Sequence, residues 1–164
     1  MAQSAYDWLG LALLLNLAMM SGVFLLYGHT ILPGLRKLPD RPFVEAFRTI
    51  DRAIINPLFM LQFLAPVPML VSTYWHARSE QLPEASQLLG ATLTYTVAVV
   101  LTIAVNVPLN DHIKDTPDDL TAETSSKARE GFRERRWAAS NHIRTVCTLT
   151  ATLLVAGALL QRLG

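Results

Sequence analysis

Residues 8–35 read WLGLALLLNLAMMSGVFLLYGHTILPGL, with no Asp, Glu, Lys or Arg anywhere in the stretch. As a helix, 28 residues at 1.5 Å each would extend about 42 Å, and a bilayer core is about 30 Å thick. The run is therefore long enough to cross a membrane. Three more charge-free intervals follow, at residues 53–77, 85–110 and 145–161. The first two also exceed the roughly 20 residues that a span needs. The third reaches that length if its helix begins near Trp137 and takes Arg144 inside. The spacing predicts an all-α fold, a four-transmembrane-helix bundle in one membrane domain over residues 1–164. Its spans are expected at about 7–28, 53–75, 87–109 and 138–160.

Composition agrees but does not decide. The chain is 51% hydrophobic and 16% charged, against about 25% charged in an ordinary soluble domain. Mean hydropathy is +0.31. These averages allow a membrane protein or a greasy soluble one, and the clustering of charge selects the first. No basic residue precedes the first run and no small-residue cleavage site follows it, so it reads as a retained helix rather than a signal peptide. Cys147 is the single cysteine. It supports no internal disulfide and no cysteine-rich metal site, and reads as a buried, inert thiol. With a net charge of +1, nothing points to nucleic acid.

Twelve of the fourteen basic residues fall in loops one and three and their flanks, leaving Arg78 and Arg162 on the other side. The positive-inside rule then places those loops in the cytoplasm and both termini outside. A bacterial inner membrane is the expected host, with anionic headgroups facing the basic loops. Trp8, Tyr27, Tyr74, Trp75 and Trp137 stand where headgroups should lie. Within loop one, Phe43, Phe47 and Ile50 recur at helical spacing opposite charges, which predicts an amphipathic interfacial helix, with continuation into span two one option. In loop three, Thr116-Pro117-Asp118-Asp119 carries a helix-start signal, and residues 125–136 read as a basic helical lead into span four. Pro66 and Pro68 predict a kink in span two, with a cavity beside it one consequence and plain packing another.

Polar residues inside hydrocarbon need a partner or a task. Asn16 and Gln62 read as interhelical hydrogen-bonding groups. A denser set gathers at the cytoplasmic end. Asn106 and Asn110 share one face of span three, with Pro108 between them. Trp137, Asn141, Arg144 and Thr145 form a stripe at the start of span four. His29, Glu45, Arg48, Asp51 and Asn56 sit at the same depth. Amide and guanidinium donors suit an oxyanion or enolate, and a His or carboxylate suits a general base. His29, His112 and His142 could alternatively converge on a transition metal or haem, although no H-x-x-x-H spacing occurs. The remaining option is that these groups stitch helix ends together.

Four pieces carry a family likeness. They are GVFLLYGHTILPG at residues 22–34, FVEAFRTIDRAIINP at 43–57, NVPLN at 106–110, and the set Phe132, Trp137, Asn141, Arg144 and Thr145. In this order and combination, over most of its length, the chain resembles the anthrone oxygenase-like family of small four-span membrane proteins. The resemblance implies oxidation of an anthrone-like hydrophobic aromatic molecule with molecular oxygen, with no cofactor expected. It implies that Asn106, Asn110, Asn141 and Arg144 hold an oxyanion and that His29, Glu45 or Asp51 is the base. Trp137 and Phe132 would stack on the substrate or anchor the helix, and Arg48 and Asn56 would border the binding site. The competing readings are a metal or haem redox protein using His29, His112 and His142, and a non-enzymatic membrane binder or complex subunit. Partners expected are the bilayer and a small hydrophobic molecule, with oligomerisation open.

Overall fold

The computed structural model describes residues 3–163, and every regular element among them is helical. Helix α1 (Gln3–Leu26) passes through a π-helical turn (Tyr27–Ile31) into α2 (Leu32–Leu35). Loop one holds α3 (Asp40–Ile54). Span two is α4 (Pro57–Leu64) and α5 (Pro66–Ser79). Span three is α6 (Ala85–Leu101), a second π turn (Thr102–Asn106) and α7 (Val107–Lys114). Then come α8 (Ala122–Phe132) and α9 (Glu134–Leu163). Four stretches are long and apolar enough to cross a membrane: Ala5–Leu35, Pro57–Ser79, Ala85–Lys114 and Ala122–Arg162. The chain is an all-α membrane bundle in which α1, α9, α6 and α5 pack in a ring, each against the next.

Its outer surface is apolar. Trp8, Leu58, Leu61, Leu93, Val146 and Leu153 are exposed. In water such a surface would aggregate; in lipid it matches its solvent. Inside, Leu13, Leu17, Leu70, Ala91, Tyr95, Ala151 and Val155 form the main core. Small residues at Ala91 and Ala151 let α6 and α9 approach closely.

The spans continue beyond hydrocarbon length at the end that carries loops one and three. There α2, α3, α7, α8 and the start of α9 build a second core around Phe43, Phe47, Ile113, Phe132 and Trp137. Helix α3 is amphipathic as its spacing predicts, and turns that apolar face onto α7 and α8. It does not continue into span two: Ile55 leaves the helical region (φ −79°, ψ 72°), and Asn56 restarts the chain as N-cap of α4, accepting from Phe59 N at 3.0 Å. Loop three also corrects an expectation. Thr116–Asp119 is irregular, and the helix starts five residues later, where Thr121 and Thr124 form a capping box. Asp118 is occupied by Arg48 instead, at 2.7 Å. The basic lead into span four is helical but broken at Arg133, which sits in the left-handed region (φ 49°).

The Arg129 guanidinium clamps loop one to this second core. It donates to Leu38 O at 2.7 Å, Arg36 O at 3.0 Å, Asp40 Oδ1 at 3.1 Å and Glu134 Oε1 at 2.9 Å, and lies over the Phe43 ring. At the opposite end, Arg162 holds Asp7 at 2.9 Å and the buried Glu84 at 3.6 Å.

Prolines explain the irregular points in the spans. A proline donates no hydrogen bond and its ring collides with the carbonyl four residues back. Span two breaks at Ala65, ahead of Pro66 and Pro68. At this break Tyr95 OH donates to Phe63 O at 2.7 Å. Each π turn likewise ends two residues before a proline, Pro33 in span one and Pro108 in span three. Widening the turn moves the preceding carbonyls clear of the ring. Leu32 N and Val107 N then reach back five residues, to Tyr27 O and Thr102 O. Such single π turns are found disproportionately at functional sites.

Candidate functional site

Beside the second core lies a cavity of about 320 Å³. Both π turns line it, through Tyr27 and through Thr102, Ile103 and Asn106. Phe24 comes from α1, Phe47, Ile50 and Asp51 from α3, and Phe59, Met60, Phe63 and Leu64 from α4. Asn110 and Lys114 project from α7, and Trp137, Asn141 and Arg144 from α9. Most of the wall is apolar. The polar groups fall into two sets.

The first set is centred on Arg144, which is 4% exposed. Its Nη1 donates to Thr102 Oγ1 at 3.1 Å and its Nη2 to Asn141 Oδ1 at 2.9 Å, while Nε is buried without an acceptor. Aromatic faces flank the guanidinium, Phe24 at 4.5 Å and Trp137 at 5.6 Å. Among the described residues, no carboxylate lies within 4.0 Å of it. A buried charge ordinarily has a paired counter-charge. Arg144 has two neutral oxygens and two rings. Asn141 is itself fixed, donating to Phe24 O at 2.9 Å.

The second set closes the end nearest loops one and three. Trp137 Nε1 donates to Asn110 Oδ1 at 2.7 Å, and Asn110 Nδ2 donates to Asp51 Oδ1 at 2.7 Å. Lys114 Nζ stands 3.2 Å from Asp51 Oδ2 and 2.8 Å from the half-exposed Asp111. The chain of groups runs from the cavity wall to the surface. Asn106 joins the same wall: its Oδ1 accepts from Ser140 Oγ at 2.7 Å, and its Nδ2 donates to Trp137 O at 3.4 Å.

Asn106, Asn110, Asn141, Arg144, Asp51 and Trp137 are thus brought together around one space. The other sequence candidates stand elsewhere. His29 is exposed and bonded to its neighbour Thr30. Glu45 is exposed and paired with Arg41 at 2.9 Å. Arg48 ties α3 to loop three through Asp118 and Thr116 O. Asn56 caps α4. Phe132 is buried behind Trp137, ring centroids 6.0 Å apart, in the second core. His112 and His142 are exposed, and His112 lies against Gly131, where a Cβ would collide with its ring. No group of three or more His, Cys, Asp or Glu able to hold a metal occurs among the described residues. Cys147 is half-buried rather than buried.

Four lining residues carried little sequence signal. Tyr27 read as an interfacial aromatic and Lys114 as one more loop cation. Phe24 and Thr102 sit inside apolar runs. Their roles depend on the helical phase that the π turns set.

The fold and this cavity define a small membrane bundle with an internal, mostly apolar site. A family model described as anthrone oxygenase matches residues 56–154, and the chain belongs to that family. The match takes in Asn106, Asn110, Trp137, Asn141 and Arg144, whereas Asp51 lies ahead of it. No curated protein and no solved structure matches the chain.

Proposed function

We propose that this chain is a membrane-embedded oxygenase that oxidises a hydrophobic, anthrone-like aromatic molecule with molecular oxygen. The observation that carries the reading is Arg144, a buried guanidinium beside a mostly apolar cavity with two neutral partners and, among the described residues, no carboxylate. An anionic ligand oxygen supplies the missing counter-charge. The mostly apolar wall, with Phe24, Phe47, Phe59 and Trp137 in it, suits an aromatic ring system, and membership of the anthrone oxygenase family agrees with that chemistry.

The reaction starts at the ligand's methylene carbon. The Asp51 carboxylate takes a proton from it, and the ring ketone becomes an enolate whose oxygen faces Arg144 and Asn141. Donors fixed in advance stabilise that charge without reorganising. The electron-rich enolate carbon passes electrons to dioxygen, and a carbon–oxygen bond forms. The resulting peroxide takes up a proton and loses water, leaving a second ring carbonyl. The sum is one anthrone and one dioxygen giving one anthraquinone and one water, a monooxygenase balance. Lys114 and Asp111 offer the proton on Asp51 a way to the surface.

In this reading loops one and three face the cytoplasm, because twelve of fourteen basic residues lie there. The test is oxygen uptake by the protein in phospholipid vesicles supplied with 1,8-dihydroxyanthrone. One dioxygen consumed per anthraquinone formed, well above empty vesicles, is expected. A rate equal to that of empty vesicles removes the reading in favour of a non-enzymatic binder.

A further inference from the structure

We propose that the cavity opens sideways into the bilayer, and that its occupants come from the lipid phase rather than from water. The inference concerns the route and stands apart from the reaction proposed above. Five residues line the cavity and are also exposed on the outer surface: Ile55, Met60 and Leu64 on one lip, Ile103 and Val107 on the other. Exposure runs from 36% at Met60 to 62% at Ile103. A side chain that borders an internal space and the exterior together marks a mouth. This mouth lies between α4 and the α3–α4 junction at Ile55 on one side and the second π turn with α7 on the other. All five residues are apolar.

Depth decides what the mouth faces. Ile103 and Val107 lie eleven and seven residues before Lys114, the end of span three, hence about 17 and 10 Å inside it at 1.5 Å per residue. The headgroup layer on each side is only about 5–8 Å thick. On the other lip Leu64 and Met60 lie seven and three residues inside Pro57, the start of span two, about 10 and 5 Å, and Ile55 precedes that span, so the mouth runs from the headgroup layer into the acyl chains. The other end is shut by polar groups already paired, with Trp137, Asn110, Asp51 and Lys114 in series. An apolar molecule from water would have to break that series. One dissolved in lipid meets only Ile, Met, Leu and Val.

Trp137 lines the cavity and reports on what enters. In full-length protein with Trp8→Phe and Trp75→Phe it is the single indole. Two heavy-atom contact quenchers are compared in phospholipid vesicles, bromobenzene dissolved in the lipid and iodide in the water. Bromobenzene is expected to quench according to its mole ratio to lipid, and iodide to have no effect. Ile103→Phe with Val107→Phe is expected to lower the bromobenzene quenching constant at least threefold. Met60→Phe provides an independent obstruction from the opposite lip. Quenching by iodide as strong as by bromobenzene, no quenching by either, or obstructed variants quenched like the parent would overturn the proposal. Quenching as expected with no oxygen uptake removes the oxygenase reading and leaves the route standing.

Discussion

Arg144 and Asn141 lie three residues apart on α9 and form a hydrogen bond of 2.9 Å from guanidinium to amide oxygen, entirely buried. The amide orients the guanidinium but brings it no charge. A substitution that removes the charge while keeping an apolar filling should separate stability from function. Arg144→Met is expected to leave the melting temperature near that of the parent, because relief of a buried charge without a counter-charge offsets the loss of the donor to the buried Asn141 Oδ1. Oxygen uptake is expected to fall by about 10²–10³, the usual loss on removing a main oxyanion donor. Arg144→Lys should be nearly as poor, since an ammonium cannot reproduce the fork that reaches both Thr102 and Asn141. Thermal unfolding in detergent and uptake in vesicles read the two effects separately.

Among the described residues, Asp51 is the one carboxylate on the cavity wall. Asp51→Asn is expected to slow turnover by about 10²–10⁴, the contribution of a positioned base. Glu45→Gln and His29→Gln should stay within about twofold of the parent, because neither residue lines the cavity. Steady-state uptake across the three variants decides the assignment. A large loss in Glu45→Gln with Asp51→Asn unaffected would move the base to the exposed face of α3.

The bundle was legible from charge, because hydrocarbon excludes ions over a fixed thickness: three charge-free intervals fit that thickness outright, and the fourth fits once its helix begins near Trp137 and takes Arg144 inside. The amphipathic helix of loop one was legible for a similar reason, in the spacing of Phe43, Phe47 and Ile50. The site was legible only in part. Asn106, Asn110, Asn141 and Arg144 stand out because polar groups at that depth need partners. Depth does not fix direction, however. Tyr27 and His29 are two residues apart, and the π turn turns the first into the cavity and leaves the second outside. Nothing in the residues themselves announces that turn except a proline six residues after Tyr27. Thr116–Asp119 misled for a different reason. Its Asp118 has an Arg48 partner from another element, and that tertiary ion pair overrides the local start signal.

A metal-centred alternative makes a contrary prediction. Removing His29, His112 and His142 together is expected to leave uptake within about twofold, since no three such ligands come together among the described residues. Loss of activity in the triple variant, accompanied by loss of bound metal measured by mass spectrometry, would restore the histidine-based reading.

At the far end of the bundle, Glu84 is almost fully buried and Arg162 is its cationic partner, with Tyr6 OH donating to the same carboxylate at 3.4 Å. Arg162→Ala leaves that carboxylate uncompensated and is expected to destabilise the bundle by about 3–5 kcal/mol. Adding Glu84→Gln should recover most of the loss. A double-mutant cycle on thermal unfolding measures the coupling, and strictly additive losses would show that the pair does not act as a unit.

Tyr95 holds α6 to the break in span two through Phe63 O. Tyr95→Phe is expected to lower stability by about 1 kcal/mol, the scale of an interhelical hydrogen bond in lipid. An unchanged melting temperature would mean that the carbonyl finds another donor.

The claim at the centre of this account is that Arg144 stabilises an oxyanion of the bound aromatic ligand. The most direct measurement is the absorption spectrum of 1,8-dihydroxyanthrone bound to the protein in vesicles at neutral pH under nitrogen, so that ionisation is observed without oxidation. The band of the ionised form is expected on binding to the parent protein, and its absence with folded Arg144→Met. A ligand that stays neutral in the parent, or ionises equally in both proteins, would contradict it.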